Sequence, residues 1–246
     1  MLALTQFTVT EAAPGYWRAT FDHPPTNLMN AVTATELRTI VDAAEKADGL
    51  RVLVLDSANA EYFFARYDLS AGPLPTDPGP TGLPIFLDTT IRLSALPVIS
   101  IAQIRGRARG GGNELALACD LRYAARETAV LGQPEIGSAL VPAGGALERL
   151  VPLIGRDRAL EAVVSSDDYD AETAERYGLD HPRPSHLGVG GARRRAGPAD
   201  RRLRPGRPGH GQALGRPHTQ PEPAAFRESM QAAARTRRRP RLPAGT

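Results

Sequence analysis

Among 246 residues the chain has a single cysteine, Cys119, and a single lysine, Lys46. One cysteine excludes an internal disulfide and fits a reducing compartment. Apolar runs are short: "LPVISIAQI" has the length of a buried strand, well below the ~20 residues of a membrane span. The opening "MLALTQFTVTE" lacks the basic stretch and apolar core of a secretory signal. Together these absences predict a cytoplasmic protein with no membrane partner. Two phosphate-binding patterns are missing as well. "GRARGGGNE" does not follow G-x-G-x-x-G, and Asn113-Glu114 stands where a P-loop requires Lys-Ser/Thr. An acid at that position would repel a phosphate.

What is present divides at Leu179. Residues 1–179 carry a net charge of −8 and residues 180–246 a net charge of +11, so the overall +3 conceals a split. The first part alternates strand and helix signals. "LTQFTVTE" and "GYWRATFD" read as paired strands around a Pro14-Gly15 turn. "TATELRTIVDAAEKADG" reads as a helix capped by Thr33 and Glu36 and stopped by Gly49. "LRVLVLDS" and "VISIAQI" suit strands buried on both faces, and "IFLDTTIRLSAL" reads as a helix between them. "DLRYAA" and "AVLGQPEIG" follow, then short helices at 146–150 and 158–164 and one over "DAETAERYG" with Asp170 as cap and Gly178 as stop. Repeated units of this kind indicate an α/β architecture.

From Asp180 onward the pattern dissolves. Arg, Pro, Gly and Ala make up 44 of the last 67 residues, and helical character returns only over 223–235. Such a segment cannot bury enough apolar surface to offset its ordering entropy, so 180–246 is expected to be a largely disordered tail. A basic tail can bind nucleic acid, but functional ones usually use lysine too. With 29 Arg against one Lys the gene is GC-rich, and such a gene read out of frame yields mostly these four residues. A frame disruption near residue 180 is the favoured reading, and no nucleic-acid partner is expected.

The stretch "GGGNELALACD", Gly110 to Asp120, places three glycines at a helix start with Glu114 in the first turn. "RGRARGGG" has the look of a basic nucleic-acid-binding segment. It lies, however, between a buried strand and a helix rather than in low-complexity sequence. The plain alternative is packing: glycines permit a tight turn, and an acid near a helix N-terminus gains about 0.3–1 kcal/mol.

"IRGRARGGGNELALACDLRYA" followed by "LGQPEIGSALVPAGG" resembles the crotonase superfamily, the enoyl-CoA hydratases and isomerases of fatty acid metabolism. "HPPTNLMN", "YFFARYDLS" and "DDYDAETAERYGL" resemble further segments of that family, so the likeness covers residues 15–179. It implies a spiral of repeated β-β-α units with a C-terminal helical region, here disrupted, and assembly as a homotrimer or hexamer. The implied substrate is an acyl-CoA thioester, with no cofactor beyond that coenzyme A and no metal. The implied reaction is syn addition of water to a 2-enoyl-CoA through a thioester enolate. Double-bond isomerisation, or acyl-CoA binding with impaired catalysis, are the alternatives. By the resemblance, Glu114 and Glu135 are the acid–base pair, and the N–H groups of Tyr67 and Gly111 form the oxyanion hole. Ala65, Asp68, Leu69 and Gly110 join them in substrate binding. A side chain in the glycine turn would block the thioester. Arg66 stands where the family has glycine, and a left-handed backbone there would cost about 1–3 kcal/mol. Arg66 and Arg18 are the candidates to meet the CoA phosphates.

Overall fold

The computed structural model describes residues 2–72, 75–181 and 224–227. Strands β1 (Phe7–Ala13) and β2 (Tyr16–Phe21) form an antiparallel hairpin whose turn is Pro14-Gly15, with Gly15 at φ +74°. Helix α1 (Ala31–Lys46) leads to β3 (Val52–Ser57), and α2 (Ile85–Ala95) to β4 (Ile99–Ile104). Strands β2, β3 and β4 are parallel, as expected of the continuous apolar runs, since β3 is buried from Leu53 to Ser57.

From β4 the chain steps out of the main sheet. β5 (Arg107–Arg109) lies in a second sheet, α3 (Gly111–Leu117) follows, and β6 (Leu121–Ala124) returns beside β4. Next, β7 (Val130–Gly132) steps out again to pair with β5, and β8 (Asp168–Asp170) adds on its other side. The result is a five-stranded sheet in the order β1-β2-β3-β4-β6 and a three-stranded sheet in the order β5-β7-β8. This alternation is the β-β-α spiral expected of the chain. Helices α4 (Ala146–Ile154), α5 (Arg156–Ser165) and α6 (Ala171–Tyr177) complete the described core. No helix of the described residues is long and apolar enough to cross a membrane.

The cap of α1 differs from the expected one. Asn30, not Thr33, is the N-cap: its side chain accepts from Thr33 N at 3.0 Å, and Thr33 Oγ1 accepts from Asn30 N. Glu36 instead accepts from Thr5 N at 2.6 Å and Gln6 N at 2.9 Å, tying the chain before β1 to the helix. Asp170 and Gly178 cap and stop α6 as the sequence indicates.

The core continues slightly past Leu179. Asp180 is buried and accepts from Ala124 N at 3.0 Å, while the His181 amide donates to Arg122 O at 3.1 Å. Arg122 closes this lock from inside, donating to the carbonyls of Leu179 and Cys119 at 2.8 and 2.9 Å. Two polar residues past Leu179 thus pair with the edge of β6. The rest of the Arg/Pro/Gly-rich tail lies outside the described residues, except for 224–227, which are helical. Phe226 in that turn is 1% exposed and packs with Leu83 and Leu87. The remainder of the expected helix over 223–235 also lies outside them.

Candidate active site

Three short connections bring the site together, and glycines set their geometry. Gly110 leaves β5 at φ +54° and donates its N–H to Gly132 O on β7 at 3.0 Å. A Cβ at Gly110 would lie 2.7 Å from Glu135 Oε1, and one at Gly112 would lie 1.8 Å from the Phe64 carbonyl oxygen. At Gly111 the same construction meets only Met29 Sδ at 3.4 Å and Phe86 Cζ at 3.9 Å. The three glycines therefore answer to different constraints. Gly110 is required by its backbone angle and by the nearby carboxylate, and Gly112 by the packing of α3 on Phe64. Gly111 is the one with room. It is the first helical residue, so its N–H has no intrahelical acceptor.

Arg66, Tyr67 and Leu69 supply a further part of the wall. Met29 and Tyr67 pair as a parallel bridge in which Met29 N donates to Arg66 O, and Asp68 N to Met29 O, both at 2.8 Å. The peptide groups flanking Tyr67 are used in this way, so its own N–H points to the other side of the bridge. Arg66 is exposed, lines the pocket and is not among the left-handed residues, which are Asn27, Ala139 and Ser166 outside glycine. The strain anticipated for an arginine there does not arise. Asp68 turns away from the pocket. Its Oδ1 accepts from the N and Oγ of Ser70 at 2.9 and 2.6 Å, which holds its carboxyl below the usual range. Ala65 is buried backbone support, with N–H on Asn27 O at 3.0 Å and its carbonyl accepting from Arg109 N at 3.1 Å. Arg18 is engaged inside the sheet with Asp56 and with Gln103 Oε1, so it is not placed to meet a CoA phosphate.

The two acids meet in the pocket. Glu114, on the first turn of α3, is 4% exposed, and its Oε1 accepts from Gly144 N at 2.7 Å and Ala146 N at 3.3 Å. Burial first, and then the charge of Glu135, lift its carboxyl to about 8. Glu135 follows β7, and its carbonyl accepts from Ser138 N and Leu140 N at 2.9 Å, which builds the next turn. The turn is therefore held by its backbone, not by its side chain. That leaves the Glu135 carboxylate to face the cavity, where Gln133 Nε2 donates to Oε2 at 3.4 Å and burial raises its affinity for a proton. Gln133 is itself fixed by Asn113 Nδ2 at 2.7 Å, one residue before Glu114.

Tyr67, Leu69, Gly110, Gly111, Glu114 and Glu135 all line one cavity of about 370 Å³, while Ala65 and Asp68 do not. Much of its remaining wall is apolar, from Met29, Pro84, Phe86, Leu87, Leu140 and Val141. Gly144, Asn113 and Gln133 were not singled out from sequence. Of these, the Gly144-Gly145 pair ahead of a helix carried a legible signal. A Cβ at Gly144 would lie 2.1 Å from Glu114 Oε2 and 2.7 Å from Phe86 Cε1.

A sequence model of the enoyl-CoA hydratase/isomerase family matches residues 13–181. The chain is 38% identical over 154 residues to a candidate enoyl-CoA hydratase/isomerase of Bacillus subtilis, covering 62% of this chain and 59% of that one. It is 32% identical over 158 residues to the crotonyl-CoA hydratase of Syntrophomonas wolfei, again covering 62% and 59%. It therefore spans about three fifths of the length of these curated relatives. Among solved structures, a candidate enoyl-CoA hydratase from Streptomyces avermitilis superposes with a TM-score of 0.83 at 33% identity, over 97% of this chain and 87% of that one. The enoyl-CoA hydratase of Bacillus anthracis gives 0.75 at 25% identity, over 94% and 90%.

Proposed function

The chain belongs to the enoyl-CoA hydratase/isomerase family, and on that premise we propose that it adds water across the double bond of a 2-enoyl-CoA. The observation that carries this reading is the pair of buried carboxyls facing one cavity, each with raised proton affinity. Two such groups near each other cannot both be ionised cheaply, so near neutral pH the pair holds one proton. A water between them has a carboxylate to accept its proton and a carboxylic acid to donate one.

In the proposed reaction the water oxygen bonds to Cβ as its proton passes to the ionised carboxylate. The π electrons move toward the thioester, placing negative charge on its oxygen, and Cα then takes the proton of the other acid. The N–H groups of Gly111 and Tyr67 receive that oxygen, each worth about 3 kcal/mol to the transition state. Met29, Phe86, Leu87 and Leu140 would accommodate the acyl portion, and exposed Arg66 is available to an anionic part of the coenzyme.

The test is to supply 2-enoyl-CoA and 3-enoyl-CoA separately and follow the conjugated thioester's absorbance. Hydration of the former without conversion of the latter supports the proposal. Migration of the 3-enoyl double bond without hydration would make the enzyme an isomerase. Binding of both without turnover would make it an acyl-CoA binder.

A further inference from the structure

Arg149, on the first turns of α4, is 7% exposed, and among the described residues it forms no salt bridge with any carboxylate. Burying an ion costs several kcal/mol unless its hydrogen bonds are well used. Burial does pull this guanidinium down to about 10. What it touches is the Gly144-Gly145 turn. Nη1 donates to the carbonyls of Gly144 and Gly145 at 3.3 and 3.4 Å. The ring of Phe226 lies over the guanidinium, with Cζ 5.0 Å from the ring centroid, and closes it from behind.

The other side of the same turn holds Glu114. The peptide joining Gly145 to Ala146 points its carbonyl at Arg149 and its N–H at Glu114 Oε1, because the two bonds of a trans peptide are antiparallel. Polarising the carbonyl strengthens the N–H as a donor. Both glycines are dictated by this sandwich. At Gly144 a Cβ would strike Glu114, and at Gly145, φ +106°, it would lie 2.0 Å from Arg149 Nη1 and 2.9 Å from Phe226 Cε1. No side chain fits between the carboxylate and the cation behind it.

We propose that Arg149, sealed by Phe226, is a positioning residue for Glu114: it holds from behind the Gly145–Ala146 peptide, whose N–H bonds that carboxylate, and braces the neighbouring Gly144 carbonyl of the same turn. The role rests on the proposed hydration only for its kinetic consequence. The other charged groups around Glu114 are Glu135 across the cavity, Arg66 on the cavity wall, Arg109 on β5 beside Glu135, and Glu148 next to Arg149. Of the cations, Arg149 is the one that favours the ionised form of Glu114.

The test uses the full chain with glutamate carboxyls labelled with carbon-13, the Glu114 signal being assigned with Glu114→Gln. In Arg149→Met the Glu114 titration midpoint should rise by about one pH unit or more. With crotonyl-CoA, kcat should fall about tenfold or more and KM should change little, since a displaced catalytic group costs turnover rather than affinity. Arg149→Lys keeps the charge and should hold the midpoint within about half a unit of the parent. If the Met variant does not fold, Arg149→Gln, which keeps an N–H donor for the turn carbonyls and loses the charge, carries the same readout. An unmoved midpoint in the neutral variants, or one moved equally by Lys, overturns the proposal. A shifted midpoint in a protein that hydrates no enoyl-CoA supports the proposal and removes only the proposed function.

Discussion

Replacing Glu114 with glutamine should change how stability depends on pH, and the structure sets the size of the change. Glu114 is 4% exposed, and its carboxyl is raised from 4.5 to about 8. Between those values the folded chain binds a proton that the unfolded chain has released, so stability falls as pH rises. The contribution is fully present below about 4.5 and is lost as pH rises through about 8. At about 1.36 kcal/mol per unit the whole effect is on the order of 5 kcal/mol, of which about 2–3 is lost between pH 5 and 7. Glutamine keeps an oxygen for Gly144 N and Ala146 N but does not titrate. Urea unfolding of both proteins from pH 5 to 9 cancels the titration of every other group to first order. The variant's stability relative to the parent should climb by about 2–3 kcal/mol from pH 5 to 7 and level off near pH 9. A difference that stays flat above pH 5.5 would mean that Glu114 titrates like a surface carboxylate. The one-proton acid pair would then fall with it.

Glu114→Gln and Glu135→Gln should each lower hydration of a 2-enoyl-CoA by about 100-fold or more while acyl-CoA binding persists, measured by steady-state rates beside calorimetric titration. Gly144→Ala should also cost turnover in a folded protein, because the new methyl would lie 2.1 Å from Glu114 Oε2; an unaffected kcat would contradict the sandwiched turn. Limited proteolysis should spare the Leu179–Asp180 bond, since both residues are buried against β6, and rapid cleavage there would refute the lock formed by Asp180 and Arg122.

The acids and the parallel strands could be read from sequence because their signals are local. A continuous apolar run of six to eight residues between turn signals suits a strand covered on both faces, and the Gly-rich and Gly-Gln-Pro-Glu segments carry their spacing with them. Strands β5 and β8 could not be read in that way. Each has three residues, "RAR" and "DYD", and exists only because β7 lies between them. The α1 cap was missed because two candidate capping boxes overlap, and Glu36 is recruited by Thr5 and Gln6, some thirty residues away in sequence. The glycine triplet is legible as a signal, but its packing reasons are not. In "GGG", Gly112 answers to Phe64 and Gly110 to Glu135, contacts that only folding creates. Nothing local in "ALERL" marks Arg149 as buried.

Phe226 sharpens the reading of the tail as a frame disruption. A segment whose composition follows from out-of-frame GC-rich codons has no reason to supply an aromatic residue of matching shape. Yet Phe226 is 1% exposed, packs with Leu83 and Leu87 and covers Arg149. The native frame would therefore be lost after His181 and regained by about residue 223, which requires two compensating changes rather than one. The coding DNA for residues 182–223, read in its other two frames, should then show apolar residues at helical spacing and a lysine-poor, less arginine-rich composition. Removing the Phe226 ring should also cost stability, by about 3–5 kcal/mol if the site cannot collapse, read as a lower urea midpoint for Phe226→Ala. Other frames without periodicity would refute the frame reading even if Phe226 proved stabilising, since the tail would then have to be encoded as it stands. A Phe226→Ala protein as stable as its parent would instead detach residues 224–227 from the core and remove the reason for a second frame change.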